Sequence, residues 1–376
     1  MWLVLAIAGA VVVLTGWLPG ETAQDVAIDR ALPVLAFLVA ITVLADLSER
    51  AGVFDAAARI CARLARGSTL RLFLLIAALG TLTTIGMSLD TTAVLLTPVV
   101  LAITDKLGLR PLPFALLVVW LANTGSLLLP VSNLTNLLAI GKLGIHPTEF
   151  LARMALPELA CVLVTVAYLG LIHHRDLRGG FDPPEHVAPD DPWTFWVCAA
   201  ACLALAPGVI AGIEPWIVAV PCALVAAGVF AVRAPRALTP DLLPWRIVLL
   251  TEGLFLVVSA LTLHGGRTLI QHLVGSSTLA TVFTAAGASN LVNNLPAYLA
   301  VESAVPPGQT TQLLGALIGT NAGPLILLWG SLATLLWRER CRARGVQISA
   351  VRFGIIGLGG VPLVLLAGWS TLLLTT

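Results

Sequence analysis

Apolar runs of about 18 or more residues, each long enough for a roughly 30 Å hydrocarbon core, recur along this chain from end to end. With 58% hydrophobic and only 11% charged residues, it is no ordinary soluble domain. The expected fold is an all-α polytopic membrane protein. The first run, from Trp2 to Leu18, lacks a basic leader and a small-residue cleavage site, so it reads as a retained span.

Full spans read at 2–18, 31–48, 151–174, 193–211, 215–233, 245–263 and 352–374. Glu21, Asp25, Asp29 and Arg30 mark an acidic loop after the first. Gly52–Gly67 reads as a helix lying in the interface, with Arg59, Arg63 and Arg66 on one face and Val53, Ile60 and Leu64 opposite. The runs 112–140 and 309–337, each 29 residues long, exceed a single span and are interrupted by Asn, Gly, Pro and Ser. They read as broken helices.

The runs 69–103 and 278–301 hold polar clusters, Ser88-Leu-Asp-Thr-Thr-Ala-Val-Leu-Leu-Thr-Pro98 and Ser289-Asn-Leu-Val-Asn-Asn-Leu-Pro296. If both crossed the membrane, basic loops would fall on both sides. As re-entrant hairpins they leave 17 Lys or Arg on one side and 4 on the other. The positive-inside rule makes the basic side cytoplasmic. This topology has about nine full spans and two hairpins, the N-terminus cytoplasmic and the C-terminus outside the plasma (inner) membrane.

Two hairpins entering from opposite faces suggest an inverted repeat. Asn123–Asn136 aligns on Asn321–Thr334 at an offset of 198, and Ser88–Pro98 on Ser289–Leu299 at 201. The repeats would be residues 1–175 and 215–376, with 176–214 as a loop and connecting span. Such repeats place their site at the midplane, where broken helix ends meet.

Unwound backbone at that depth must be buried in protein or line a wet cavity. The candidate solute ligands are Asn123, Ser132, Asn133, Asn136, Ser289, Asn290, Asn293, Asn294 and Asn321. Each is also suited to repairing a helix break or joining helices. Four such clusters, paired by approximate symmetry, favour a transport site.

Asp90 is a carboxylate at membrane depth with no Lys or Arg in the core beside it. It reads either as part of a cation site or as an acid desolvated enough to carry a proton. Both make it a coupling residue, with Thr91 and Thr92 adjoining. Glu158 and Glu252 are the other intramembrane acids, with a proton path or structural hydrogen bonds as their alternative roles. The absence of a core cation favours a neutral polyhydroxy solute over a dicarboxylate, which would have only helix N-termini and amides to neutralise it.

No GxxxxGK[ST] loop and no soluble catalytic domain are present, so the chain reads as a transporter, not an enzyme. No cofactor, metal or nucleic acid is expected. Cys198 and Cys202, one helical turn apart, suit either helix packing or a soft metalloid, and packing is the simpler reading. His173 and His174, beside Arg175, read as interfacial.

The quoted motifs, with Val131-Ser-Asn-Leu-Thr-Asn-Leu137 and Gly330-Ser-Leu-Ala-Thr-Leu-Leu-Trp337 following Asn321-Ala-Gly-Pro324, resemble the arsenite/antimonite efflux permeases (ArsB type) of the ion-transporter superfamily. The likeness covers most of the chain. It implies export of trivalent arsenic or antimony as the neutral trihydroxide in exchange for protons, with a cytosolic arsenite-stimulated ATPase as an optional partner. Within the superfamily, the alternatives are a sodium/proton antiporter and a sodium-coupled anion transporter. Leu325–Leu328 departs from relatives in being wholly apolar.

Overall fold

The computed structural model describes residues 2–185, 189–261, 263–264, 267–275, 277–306 and 308–375. The loops 175–192 and 264–277 of the charge count lie partly outside these residues. Among the described residues the architecture is helical throughout, with one isolated β-bridge between Ser68 and Gly180.

The chain opens with α1 (Trp2–Leu14) and α2 (Gly20–Asp25), which passes through a π-helical stretch into α3 (Leu32–Arg50). A short α4 (Val53–Leu64) precedes α5 (Thr69–Gly86), α6 (Leu89–Thr91) and α7 (Thr97–Lys106). Next come α8 (Pro111–Thr124), α9 (Leu134–Leu143) and α10 (Pro147–Ile172). The connecting α11 (Pro192–Ile210) leads to α12 (Pro215–Arg233), α13 (Trp245–Leu261) and α14 (Arg267–Val274). The chain continues with α15 (Thr278–Val292), α16 (Asn294–Ala304), α17 (Thr310–Ala322), α18 (Leu332–Ala343) and α19 (Ala350–Leu372).

Among the described residues, seven helices are long and apolar enough to cross a membrane. Six of them are expected full spans, and the seventh is α5, the first arm of a hairpin. Of the remaining three expected spans, α1 has 13 residues and the other two are interrupted, as α8–α9 and α17–α18. The expected acidic loop is mostly helical, so residues 20–50 form one 31-residue run.

Local chemistry sets these limits. Pro111, Pro147, Pro192 and Pro215 open their helices, where a missing N–H costs nothing. Ser68 and Ser277 cap the first arms of the two hairpins, accepting from Arg71 N and Ala280 N at 3.4 Å each. Gly144 ends α9 at φ 62°, a left-handed position that suits glycine.

α4 packs against both α5 and α7, and α14 against both α15 and α16, so each hairpin returns to the short helix that precedes it. α1 pairs with α13, α3 with α12, and α10 with α19. α4 packs on a further face, beside the two named from the sequence. Phe54, Ala58, Cys61 and Ala62 are buried against the protein, while Ile60 and Leu64 are 54% and 58% exposed. A short amphipathic helix can serve three environments at once, namely protein, lipid and water.

Candidate transport site

The two hairpins turn at Met87–Ser88 and at Asn293. Ser88 caps the returning helix, accepting from Thr91 N at 3.2 Å while its hydroxyl donates to Thr91 Oγ1 at 3.0 Å. The Thr92 hydroxyl donates to the Ser88 carbonyl at 3.0 Å and accepts from the Thr84 hydroxyl at 2.9 Å. This ladder holds Asp90 in the first turn of α6, where the helix dipole favours a negative charge. Asp90 Oδ1 is buried with no hydrogen-bond partner among the described residues.

Asn293 turns the second hairpin at φ 89° and ψ 155°, a region occupied almost solely by glycine. Its side-chain amide donates to the Trp329 carbonyl at 3.2 Å. The turn lies four residues beyond the Ser289 counterpart expected from the alignment. Helix start for helix start, Asp90 therefore stands opposite Leu295, not Leu291.

The first broken helix unwinds over 125–133 and the second over 323–331, a separation of 198 residues at both ends, as aligned. In the first break, Asn136 Nδ2 donates to the carbonyls of Ser126 and Leu129 at 2.7 and 2.9 Å. The Ser132 hydroxyl donates to Ile85 O of the hairpin at 3.0 Å, and the Ser126 hydroxyl to Asn123 O at 2.8 Å. Glu158 reaches in from α10, its Oε2 accepting from Leu127 N at 2.8 Å. Asn123 Nδ2 donates to Val119 O at 2.8 Å.

The halves are joined by Asn321. It donates to Asn136 Oδ1 at 2.9 Å and accepts from the Thr135 hydroxyl at 2.7 Å. In the second break, Asn290 alone reaches three backbone groups. Its Nδ2 donates to Gly323 O at 2.9 Å, and its Oδ1 accepts from Ile326 N and Leu327 N at 3.1 and 2.9 Å. Asn123, Ser132, Asn136, Glu158, Asn290 and Asn321 are buried, where an unmade hydrogen bond costs about 1–3 kcal/mol, while Ile326 and Leu327 are half-buried.

One cavity lies where these pieces meet. It has a volume of about 70 Å³, room for a solute of a few heavy atoms. Leu89 and Asp90, Asn133 and Leu134, Asn293–Pro296, and Leu332 all border it. These are first-turn or capping residues of α6, α9, α16 and α18, so four helix N-termini converge there. α1 and α13 close it with Leu5, Ile247, Leu250, Thr251 and Leu254, and no Lys or Arg among the described residues lines it.

Of the expected solute ligands, Asn133, Asn293 and Asn294 border this cavity. Ser132, Asn136, Asn290 and Asn321 are hydrogen-bonded at the breaks, the Asn123 amide is bonded to Val119 O within α8, and the Ser289 hydroxyl is bonded to Ala285 O at 2.7 Å. Asp90 borders the cavity, Thr91 and Thr92 support its turn, and Glu158 and Glu252 stand outside it. The sequence reading missed Thr135 and Ser126, although both lie in stretches that it had marked. It also missed Glu302, a 3% exposed carboxylate of α16, because the apolar run ends at 301. Cys202 Sγ lies 3.1 Å from the Ser48 hydroxyl, and no cluster of three or more Cys, His, Asp or Glu suited to a metal occurs among the described residues.

A family model described as the CitMHS citrate transporter matches residues 1–334. The chain belongs to this transporter family. The transporter is 30% identical over 349 residues to the arsenical pump membrane protein of Escherichia coli strain K12, covering 84% of this chain and 80% of that one. It is 24% identical over 393 residues to a 46 kDa membrane protein of Mycobacterium leprae, covering 93% and 88%. The crystal structure of the Alcanivorax borkumensis YdaH transporter matches with a TM-score of 0.54 at 13% identity, over 94% of this chain and 89% of that one. At that identity the match speaks to the fold alone. The transporter is an integral membrane protein, and the arsenical-pump likeness read from its motifs is borne out.

Proposed function

We propose that the transporter exports arsenite or antimonite as the neutral trihydroxide in exchange for protons. The observation that carries this reading is the small cavity where both hairpin turns meet both broken helices, with Asp90 on its wall and no cation. Three hydroxyls on a small solute can donate to the Asp90 carboxylate and to side-chain carbonyls of Asn133, Asn293 and Asn294, and accept from their amide N–H groups. A multiply charged anion fits less well. Each helix N-terminus contributes about 0.3–1 kcal/mol, up to ~2 when partly buried, and the unpaired Asp90 carboxylate opposes it when ionised.

Asp90 is the coupling residue in this reading, and Glu158 serves to hold the first break. The recurring element order and the crosswise pairing of α1 with α13 and α3 with α12 support reading residues 1–175 and 215–376 as inverted repeats. The arginine-rich ends of α4 and α18 form the cytoplasmic face, where an arsenite-stimulated ATPase would dock. Sodium-coupled anion transport is the second reading, favoured by the citrate transporter description of the family.

Everted vesicles carrying the transporter should take up arsenite when acidified inside, without sodium. Absence of uptake, with sodium-dependent citrate transport or sodium/proton exchange in its place, overturns the first reading.

A further inference from the structure

A second and larger cavity, of about 620 Å³, borders α9 further along its length than the site does. Asn133 and Leu134 border the site cavity, whereas Leu137 and Leu138, one turn later, border the second. One helical turn rises about 5.4 Å, so the two linings follow one another directly along α9. The first break repeats this division. Pro130 borders the second cavity and Asn133, three residues on, the first.

α16 spans both cavities as well, with Asn294 at the site and Glu302 at the second cavity. Exposure also rises along one face of α9. Leu134 and Leu137 are half-buried and Gly141 is exposed, while Thr135, Asn136 and Ala139 on the other faces are buried.

We infer that the second cavity is the outer mouth of the transport path, and that the Leu134–Leu137–Gly141 face of α9 is the wall along which solute leaves. Its orientation follows from the loop charges. Pro33, the residues 141–147, the turn 212–216 and Glu302 all belong to chain ends that the 17-to-4 bias of Lys and Arg puts outside. Pro33, Val34, Pro130 and Leu137 give the cavity an apolar wall, and exposed Lys142 and Glu214 are among its charges. Such a wall passes a small neutral solute at less desolvation cost than an ion. The solute argument rests on the export reading proposed above, whereas the path itself requires only that the protein be a transporter.

Thiol labelling in right-side-out vesicles tests the path. Gly141→Cys suits it because nothing lies within 4 Å of an added Cβ at that position. A membrane-impermeant, charged thiosulfonate applied outside should modify Gly141→Cys and Leu137→Cys above the baseline of the wild-type protein with its native cysteines. Ala139→Cys, on the buried face, should stay at that baseline. Modification of Leu137→Cys should bring loss of transport, read with arsenite and, separately, with sodium and citrate. Should Leu137→Cys fail to accumulate, a bulky maleimide on Gly141→Cys must slow transport instead. Labelling from the cytoplasmic side alone, or unaltered transport after modification, overturns the inference. Labelling from outside does not depend on the solute, so failure of the arsenite assay leaves the two outcomes distinguishable.

Discussion

The two helix breaks have the same length and the same place in their halves, yet they are held by different chemistry. The first, at 125–133, is held by side chains from several directions, with Glu158, Asn136, Ser132 and Asn321 each closing backbone or amide groups. The second, at 323–331, depends on two asparagines of the hairpin, Asn290 and Asn293, and on close backbone approach. A Cβ at Gly323 would collide with Ala286, and one on Gly357 of α19 with Leu325 O. An unwound segment in a membrane can therefore be stabilised by many distributed polar contacts or by a pair of asparagines and tight packing. The hairpins differ in the same spirit. The first carries Asp90 in its returning turn, and the second has Leu295 at the equivalent place.

The largest expected effect tests the hairpin asymmetry. Asp90→Asn should reduce proton-driven export in vesicles to background while the protein stays folded in detergent by size-exclusion chromatography. Retained pH-driven export would remove the functional difference between the two turns. The second break should then prove the more fragile. Asn290→Leu leaves the half-buried Ile326 and Leu327 N–H groups without their acceptor, at a cost of about 1–3 kcal/mol, measurable by thermal denaturation in detergent. A small shift there would show that packing alone holds the second break.

A surface contact outside both breaks gives the scale for exposed polar pairs. Asp191 caps α11 and receives Arg233 Nε at 2.6 Å, and the hydrogen bond from that guanidinium holds its carboxyl well below the ordinary range. Its contribution is present above the usual carboxylate pKa of about 4 and is lost as pH falls through the depressed folded value. Asp191→Asn should lower the melting temperature slightly at neutral pH, and its difference from wild type should shrink under strong acid. The smallest effect is expected at the first break. Glu158→Gln keeps an oxygen acceptor for Leu127 N–H, so export and its pH dependence should survive. Loss of proton coupling in that variant would turn Glu158 from a clamp into a coupling residue.

Both breaks were legible in the sequence because Asn, Gly, Pro and Ser in a 29-residue apolar run leave a helix few alternatives. The 198-residue offset that relates them recurs at both ends of each unwound segment. The hairpin turns were less legible. The first has a serine cap, whereas the second turns on a left-handed asparagine, and aligning one serine on the other displaces the match by four residues. Charge pattern alone also does not give the packed face of α4, where Phe54, Ala58, Cys61 and Ala62 meet the protein while Ile60 and Leu64 face outward. Which asparagines border the cavity and which hold backbone was not readable, because both uses draw on the same amide chemistry.

The contact of Asn321 with Thr135 and Asn136 joins residues 186 and 185 positions apart. During synthesis, the first half enters the bilayer long before its partner leaves the ribosome. In that interval Thr135 and Asn136 are polar groups at membrane depth without the amide that completes them. A nascent chain stalled ahead of Asn321 would thus carry a local defect that insertion chaperones could shield and membrane proteases could recognise.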